Sequence, residues 1–236
     1  MVVLFQGDSI TDGNRDRGTD LNHILGHGYA YIIAAKLGNE YAHLQPSFIN
    51  RGISGNRVSD LYARWNEDAI SLKPDVISLL IGVNDAWFTV NDQPGGFTDR
   101  FERAYRHLLQ ETKEVLPDAK LVLCEPFILK TSATAEKWAL WWEIISRYQQ
   151  TVLRLAEEFG AVHVPLQAHL RKPPKRQMRN TGYGTACTRP QPATICSRSN
   201  GLRPRKAAGC GSRHLLVSYR VLLTEEYAFM EPFLVL

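Results

Sequence analysis

Three short motifs hold the residue types that acyl chemistry needs. Gly7-Asp8-Ser9-Ile10 follows the apolar run Val2-Val3-Leu4-Phe5, Asn50-Arg51-Gly52 follows a second apolar run, and Gly82-Val83-Asn84-Asp85 follows a third. Each falls where a strand should end, and open α/β sheets do their chemistry outside the carboxyl ends of their strands. Acyl transfer requires a nucleophile, a base for its proton, and donors aimed at the developing oxyanion. Ser9 offers a hydroxyl. Gly52 lets backbone approach a substrate because it has no Cβ, and the Asn84 amide donates hydrogen bonds without a charge that titrates. Singly, each motif is a common turn. Three such turns with Ser, Gly and Asn on strand ends are harder to attribute to chance.

The elements that must position these residues are readable by period. Val2 to Gln6, Ser47 to Asn50, Asp75 to Ile81, Leu121 to Cys124 and Ala161 to Leu166 read as strands, the third a continuous β-branched run suited to a central parallel position. Helices are expected over Tyr29 to Leu37, Val58 to Leu72, Phe97 to Leu116 and Glu136 to Phe159, the last ending at Gly160. Asn14 to Gly28 reads as a polar, Gly-rich loop able to rim a site. The alternation βαβαβαβαβ implies a single three-layer α/β/α domain with a mainly parallel five-stranded sheet and right-handed crossovers. The domain is expected over residues 1–166, with residues 167–236 an irregular basic tail.

Length and composition agree with one globular domain: 236 residues, 44% hydrophobic and 22% charged. The first strand begins at Val2, which leaves no room for a secretory leader, and no apolar run approaches the ~18 residues of a membrane span. The expectation is a soluble cytoplasmic protein. The net charge of +4 hides an asymmetry. Residues 1–158 carry 16 Lys/Arg against 21 Asp/Glu, whereas residues 159–236 carry 12 against 3, and residues 159–224 contain no acid at all. Cys187, Cys196 and Cys210 lie in that stretch. A nucleic-acid arm is not expected, because no aromatics interleave the basic residues. A metal site is not expected either, because the cysteines lack a Cys-x-x-Cys pair, and a cytosolic compartment argues against disulfides.

Taken together, the three motifs resemble the SGNH (GDSL-type) ester hydrolases, over roughly residues 2–166. The resemblance implies a flavodoxin-like fold, Ser9 as nucleophile, and an oxyanion hole formed by the Ser9 N–H, the Gly52 N–H and the Asn84 side-chain amide. It implies no cofactor or metal. Asp8 and Asp85 are read as structural neighbours that hold loops. The family carries its base in a late Asp-x-x-His motif, with the aspartate orienting the imidazole. This chain has His23, His27, His43, His107, His163, His169 and His214, and among them only His23 has an aspartate three residues before it, Asp20, far too early to match.

The acid-free tail has another explanation: the right gene read in the wrong frame. Thr181 to Ile195 can be encoded so that dropping the first two bases yields Trp-Ile-Trp-Asp-Gly-Val-His-Pro-Thr-Pro-Ala-Gly-His-Tyr. That sequence contains the family's Asp-x-x-His-Pro block, and continuing through Leu202 permits Leu-Phe-Ala-Ile-Glu-Trp-Leu, an amphipathic helix start. The slip would lie between Gln167 and Thr181. The chain as written would then lack both triad partners of Ser9.

Within the family, Ile81 to Trp87 and the loop from Gly7 to Arg17 look most like the intracellular carbohydrate acetylesterases, including xylan-oligosaccharide deacetylases. Trp87 is either a stacking face for a sugar ring or a core tryptophan. The expected partner is a small-molecule ester, an acetylated sugar. The second enzymatic reading is a lysophospholipase or short-chain thioesterase, with Trp138, Trp141 and Trp142 lining an acyl groove or a homo-oligomer interface. The third is an inactive frameshifted product.

Overall fold

The computed structural model describes residues 1–18, 22–91 and 98–170. Five strands, β1 (Val2–Gly7), β2 (Ser47–Asn50), β3 (Val76–Leu80), β4 (Lys120–Cys124) and β5 (Val162–Val164), form one sheet in the order β2-β1-β3-β4-β5. All four pairings are parallel, for example Leu4 opposite Ile77 and Ile77 opposite Leu121. The strand order reverses direction between β1 and β3. A doubly wound sheet opens its crevice at that switch point, so the loops after β1 and β3, which carry Ser9 and Asn84, sit beside it.

Both faces of the sheet are covered, which is why β1, β3 and β4 read as apolar runs rather than alternations. On one face Leu4, Ile77, Leu79, Leu121 and Leu123 pack against α3 (Val58–Ala63), α4 (Trp65–Asp68), α5 (Val83–Val90), α6 (Thr98–Val115) and α8 (Trp138–Glu158). On the other, Val3, Phe5, Val76, Leu80, Val122 and Val164 pack against α2 (Tyr29–Glu40) and α9 (Leu166–Leu170). Two short helices complete the set: α1 (Ser9–Asp12) and α7 (Ser132–Ala135). The largest buried side chain, Trp65, is 1% exposed and donates its Nε1–H to Thr112 Oγ1 at 2.9 Å, satisfying the polar edge of an otherwise apolar anchor.

One expected helix is interrupted. The single helix expected over Val58 to Leu72 is α3, α4 and a 3₁₀ turn, Ile70–Leu72. Gln6 Nε2 donates to the Asp68 carbonyl at 2.8 Å, and Ala69 leaves helical geometry at φ −136° and ψ −63°. A buried strand side chain thus takes a carbonyl that would have continued the helix. The helix expected from Glu136 to Phe159 is α8, unbroken from Trp138 to Glu158, and α7 is a separate short helix before it, capped by Thr131. α1 and α5 were read as turns only. Cys187, Cys196, Cys210, His214 and Asp20 lie outside the described residues, as does the whole expected tail beyond Leu170.

Candidate active site

The turn after β1 is built so that Ser9 is the first residue of a helix. Asp8 caps α1 by accepting the Ile10 N–H at 3.0 Å on Oδ1, and Gly13 ends it in left-handed geometry, its N–H donating to the Ser9 carbonyl at 3.0 Å. The first N–H groups of a helix have no partner inside it. The Ser9 N–H accordingly donates to no group among the described residues, and neither does the Ser9 hydroxyl.

The loop after β2 is clamped against α1. Buried Asn50 donates its amide to the Thr11 carbonyl at 2.7 Å and the Leu25 carbonyl at 2.9 Å, and it accepts the Gly52 N–H at 2.9 Å. Gly52 packs directly on the α1 backbone: a Cβ there would lie 2.8 Å from Thr11 C and 2.9 Å from Asp12 Cα, and closer still to Asp12 N. The expectation for Gly52 therefore needs correction. A glycine is required for close approach, but to the protein's own backbone, and its N–H is already engaged by Asn50. Gly55 differs. Its φ is +84°, a Cβ there would meet nothing within 4 Å, and its N–H has no partner among the described residues. The Ser-Gly-Asn run at 54–56 was the available signal, a turn-forming triplet passed over for the glycine nearer the strand.

Asn84 lies in the first turn of α5, after Gly82. Its amide donates to the Asn56 carbonyl at 3.0 Å, which ties it to the Gly55 loop and leaves the second amide hydrogen available. Asp85, beside it, is buried and accepts the Val58 N–H on both oxygens at 3.2–3.3 Å. Burial pushes the carboxyls of Asp8 and Asp85 up to about 7. Both hold loops, as the sequence suggested.

Ser9, Ser54, Asn84 and Trp87 line one cleft of about 920 Å³, whose far wall is Phe127 to Leu129 with Trp141. Trp87 is 47% exposed, an accessible aromatic face rather than a core residue. His27 also reaches the cleft, a contact for which the sequence held no motif. His163 instead sits in β5, 3.8 Å from Glu125, and His107 packs its ring by Tyr62, outside the cleft lining. Among the described residues no cluster of His, Cys, Asp and Glu could hold a metal.

Ser9 and Asn84 thus share a cleft beside the switch point, and the N–H groups of Ser9 and Gly55 have no partner among the described residues. The family model for GDSL-like lipase/acylhydrolases matches residues 5–187. The chain belongs to that family. It is an α/β carboxylic ester hydrolase of the GDSL type. It is 35% identical over 172 residues to an acetylxylan esterase of Geobacillus stearothermophilus, a match covering 70% of this chain and 76% of that protein. Among solved structures, a protein from Parabacteroides merdae described as a GDSL-like lipase is 42% identical, with a TM-score of 0.68 over 72% of this chain and 78% of its own. A catalytic mutant of the Geobacillus acetylxylan esterase, with an aspartate replaced by alanine, is 33% identical, with a TM-score of 0.61 over 71% and 77%. Among the described residues no helix is long and apolar enough to cross a membrane.

Proposed function

We propose that this hydrolase removes acetyl groups from a carbohydrate, with Ser9 as nucleophile. The observation that carries the reading is the shared cleft of Ser9, Asn84 and exposed Trp87 in a chain related to an acetylxylan esterase. Ser9 Oγ attacks the acetyl carbonyl, the sugar oxygen leaves as an alcohol carrying the serine's proton, and water then cleaves the acetyl–serine ester to release acetate and restore Ser9. The negative charge that develops on the carbonyl oxygen is met by donors that need no reorganisation: the Ser9 N–H at the start of α1, the free hydrogen of the Asn84 amide, and an N–H of the Gly52 loop. With the Gly52 N–H held by Asn50 at 2.9 Å, the loop donor is that of Gly55. The Trp87 ring offers a face for a sugar.

The serine proton needs an acceptor. In the related acetylxylan esterase, catalytic mutants replace an aspartate and a histidine three positions apart, and a tryptophan just before that aspartate has also been mutated. Residues 181–195 can be encoded so that the alternate frame reads Trp-Asp-Gly-Val-His, with the same spacing. The proposal therefore includes a frame slip. Gln167 supports an in-frame chain up to that point: its N–H donates to Glu125 Oε1 at 2.7 Å, and its amide accepts the Ile128 N–H and donates to the Ile128 carbonyl at 2.9 and 3.1 Å. Leu166 and Leu170 are buried. These narrow the proposed slip to the codons of residues 171–181. A cytoplasmic site of action belongs to the same reading, one in which the buried thiol of Cys124 stays reduced.

A chain-length series of nitrophenyl esters tests the substrate, run on the frame-restored protein beside Ser9→Ala. A steep fall beyond acetate, release of acetate from acetylated xylo-oligosaccharides, and loss of both in Ser9→Ala are expected. A rate that rises with acyl length would favour a lipid or thioester substrate instead.

A further inference from the structure

A buried carboxylate is among the groups that fix the loop carrying Gly55, and it is neither the nucleophile nor an expected triad member. Asp12, 3% exposed, closes α1 three residues after Ser9. Its Oδ2 accepts the Ser54 N–H at 3.2 Å, the Ser54 hydroxyl at 2.9 Å and the Arg17 guanidinium at 3.0 Å. Its Oδ1 accepts the Arg15 N–H at 3.3 Å and lies 3.8 Å from Arg15 Nε. Arg15 Nε in turn donates to the Gly52 carbonyl at 3.0 Å. The Gly52 N–H goes to Asn50, and the Ile53 N–H donates to the Gly7 carbonyl at 3.1 Å. Every backbone N–H from Gly52 to Ser54 is therefore occupied, and the next one, Gly55, is left open.

We infer that Asp12 is a positioning residue: through Ser54 and Arg15 it holds the Gly55 N–H toward the Ser9 hydroxyl, setting the oxyanion hole rather than merely the fold. The inference rests on the esterase reading of Ser9. A charged acceptor suits the task because charge-assisted bonds are shorter and stronger than neutral ones, and one carboxylate here accepts from the Gly55 loop through Ser54 and from the residues after α1 through Arg15 and Arg17. Ser9 lies on the same four-residue helix as Asp12, so nucleophile and loop share one rigid anchor. A donor displaced from the hole is missed only when charge develops, so substrate binding in the ground state is largely spared.

The test measures kcat and KM for nitrophenyl acetate and the melting temperature of Ser9→Ala, Asp12→Asn, Ser54→Ala and the Asp12→Asn/Ser54→Ala pair. It uses the full chain as written and the frame-restored full chain, the faster serving as reference. Glu143→Gln, which removes a surface partner of Arg147 on α8, is the control. Loss of one oxyanion donor costs about 10²-fold to 10³-fold in kcat. Asp12→Asn is expected to lower kcat about 10²-fold with KM within about twofold. Ser54→Ala should lower kcat about tenfold, and the pair should cost no more than Asp12→Asn alone, because both act through one contact. Glu143→Gln should match the reference. Were Ser9→Ala as active as its parent, the esterase reading itself would fail. If Ser9→Ala is inactive while Asp12→Asn keeps its kcat, or loses kcat and KM together in step with the melting temperature, the positioning role is overturned. Should Asp12→Asn not fold, Ser54→Ala decides: a reference kcat there refutes the inference.

Discussion

Replacing Gly52 and Gly55 one at a time by alanine should separate a packing glycine from a conformational one. At Gly52 the added Cβ would press on three backbone atoms of α1, two of them at 2.8 and 2.9 Å and the third closer. Backbone cannot rotate away as a flexible side chain would, so the cost belongs at the upper end of overpacking, about 3 kcal/mol. In a fold of this size that is a fall in Tm of roughly 6–12 °C. At Gly55 the Cβ meets nothing within 4 Å, and the only cost is a left-handed φ of +84°. That is worth about 1 kcal/mol, or roughly 2–4 °C. Thermal unfolding followed by far-UV circular dichroism on the two variants and the parent measures both. If Gly52→Ala melts within a few degrees of the parent, or above Gly55→Ala, the close contact between loop and α1 relaxes cheaply, and the reason given for a glycine at 52 is wrong.

Trp65→Phe removes the indole N–H that Thr112 Oγ1 accepts at 2.9 Å and leaves a small void in the core; a loss of about 2 kcal/mol in urea unfolding is expected, and an unchanged midpoint would mean the site repacks. Asp8, raised by burial to about 7, keeps its proton in the folded state at pH values where the unfolded chain has released it. Its contribution is therefore greatest below about pH 4, falls by up to about 1.4 kcal/mol per pH unit as the pH rises toward 7, and levels off above. Urea midpoints at pH 5, 6, 7 and 8 should show a shallower decline in Asp8→Asn than in the parent, and identical slopes would contradict the burial argument. Trp87→Ala should raise KM for acetylated xylo-oligosaccharide relative to KM for nitrophenyl acetate about tenfold, as expected for loss of one aromatic stacking contact; an equal effect on both esters would remove the sugar-stacking role.

The sheet was legible because its strands are short, largely apolar runs bounded by turn residues, and all five fall where the apolar pattern indicates. The interruption at Ala69 was not, since it depends on a partner distant in sequence, Gln6 reaching the Asp68 carbonyl. Ser9 and Asn84 could be read directly, each being the polar residue of a strand-end turn. Gly52 misled because absence of a Cβ is ambiguous: it permits approach by a substrate or by the chain's own α1, and only the three-dimensional contact with Asp12 distinguishes them. Asp12 was invisible for a related reason. Nothing in the sequence joins it to Ser54, which is 42 residues away.

In the proposed mechanism Ser9 is a nucleophile whose base is encoded in the alternate frame beyond residue 171. The direct measurement is kcat/KM for nitrophenyl acetate on two full-length proteins, the chain as written and the chain with its frame restored, alongside resequencing of codons 171–181. A triad hydrolase deprived of a member keeps only about 10³-fold to 10⁴-fold catalysis over water. The frame-restored protein should exceed the chain as written by at least about 10³-fold, and Ser9→Ala should return it to the lower rate. Equal rates in the two proteins would contradict this mechanism, and would show that another group, His27 in the cleft being the first to replace, takes the serine proton.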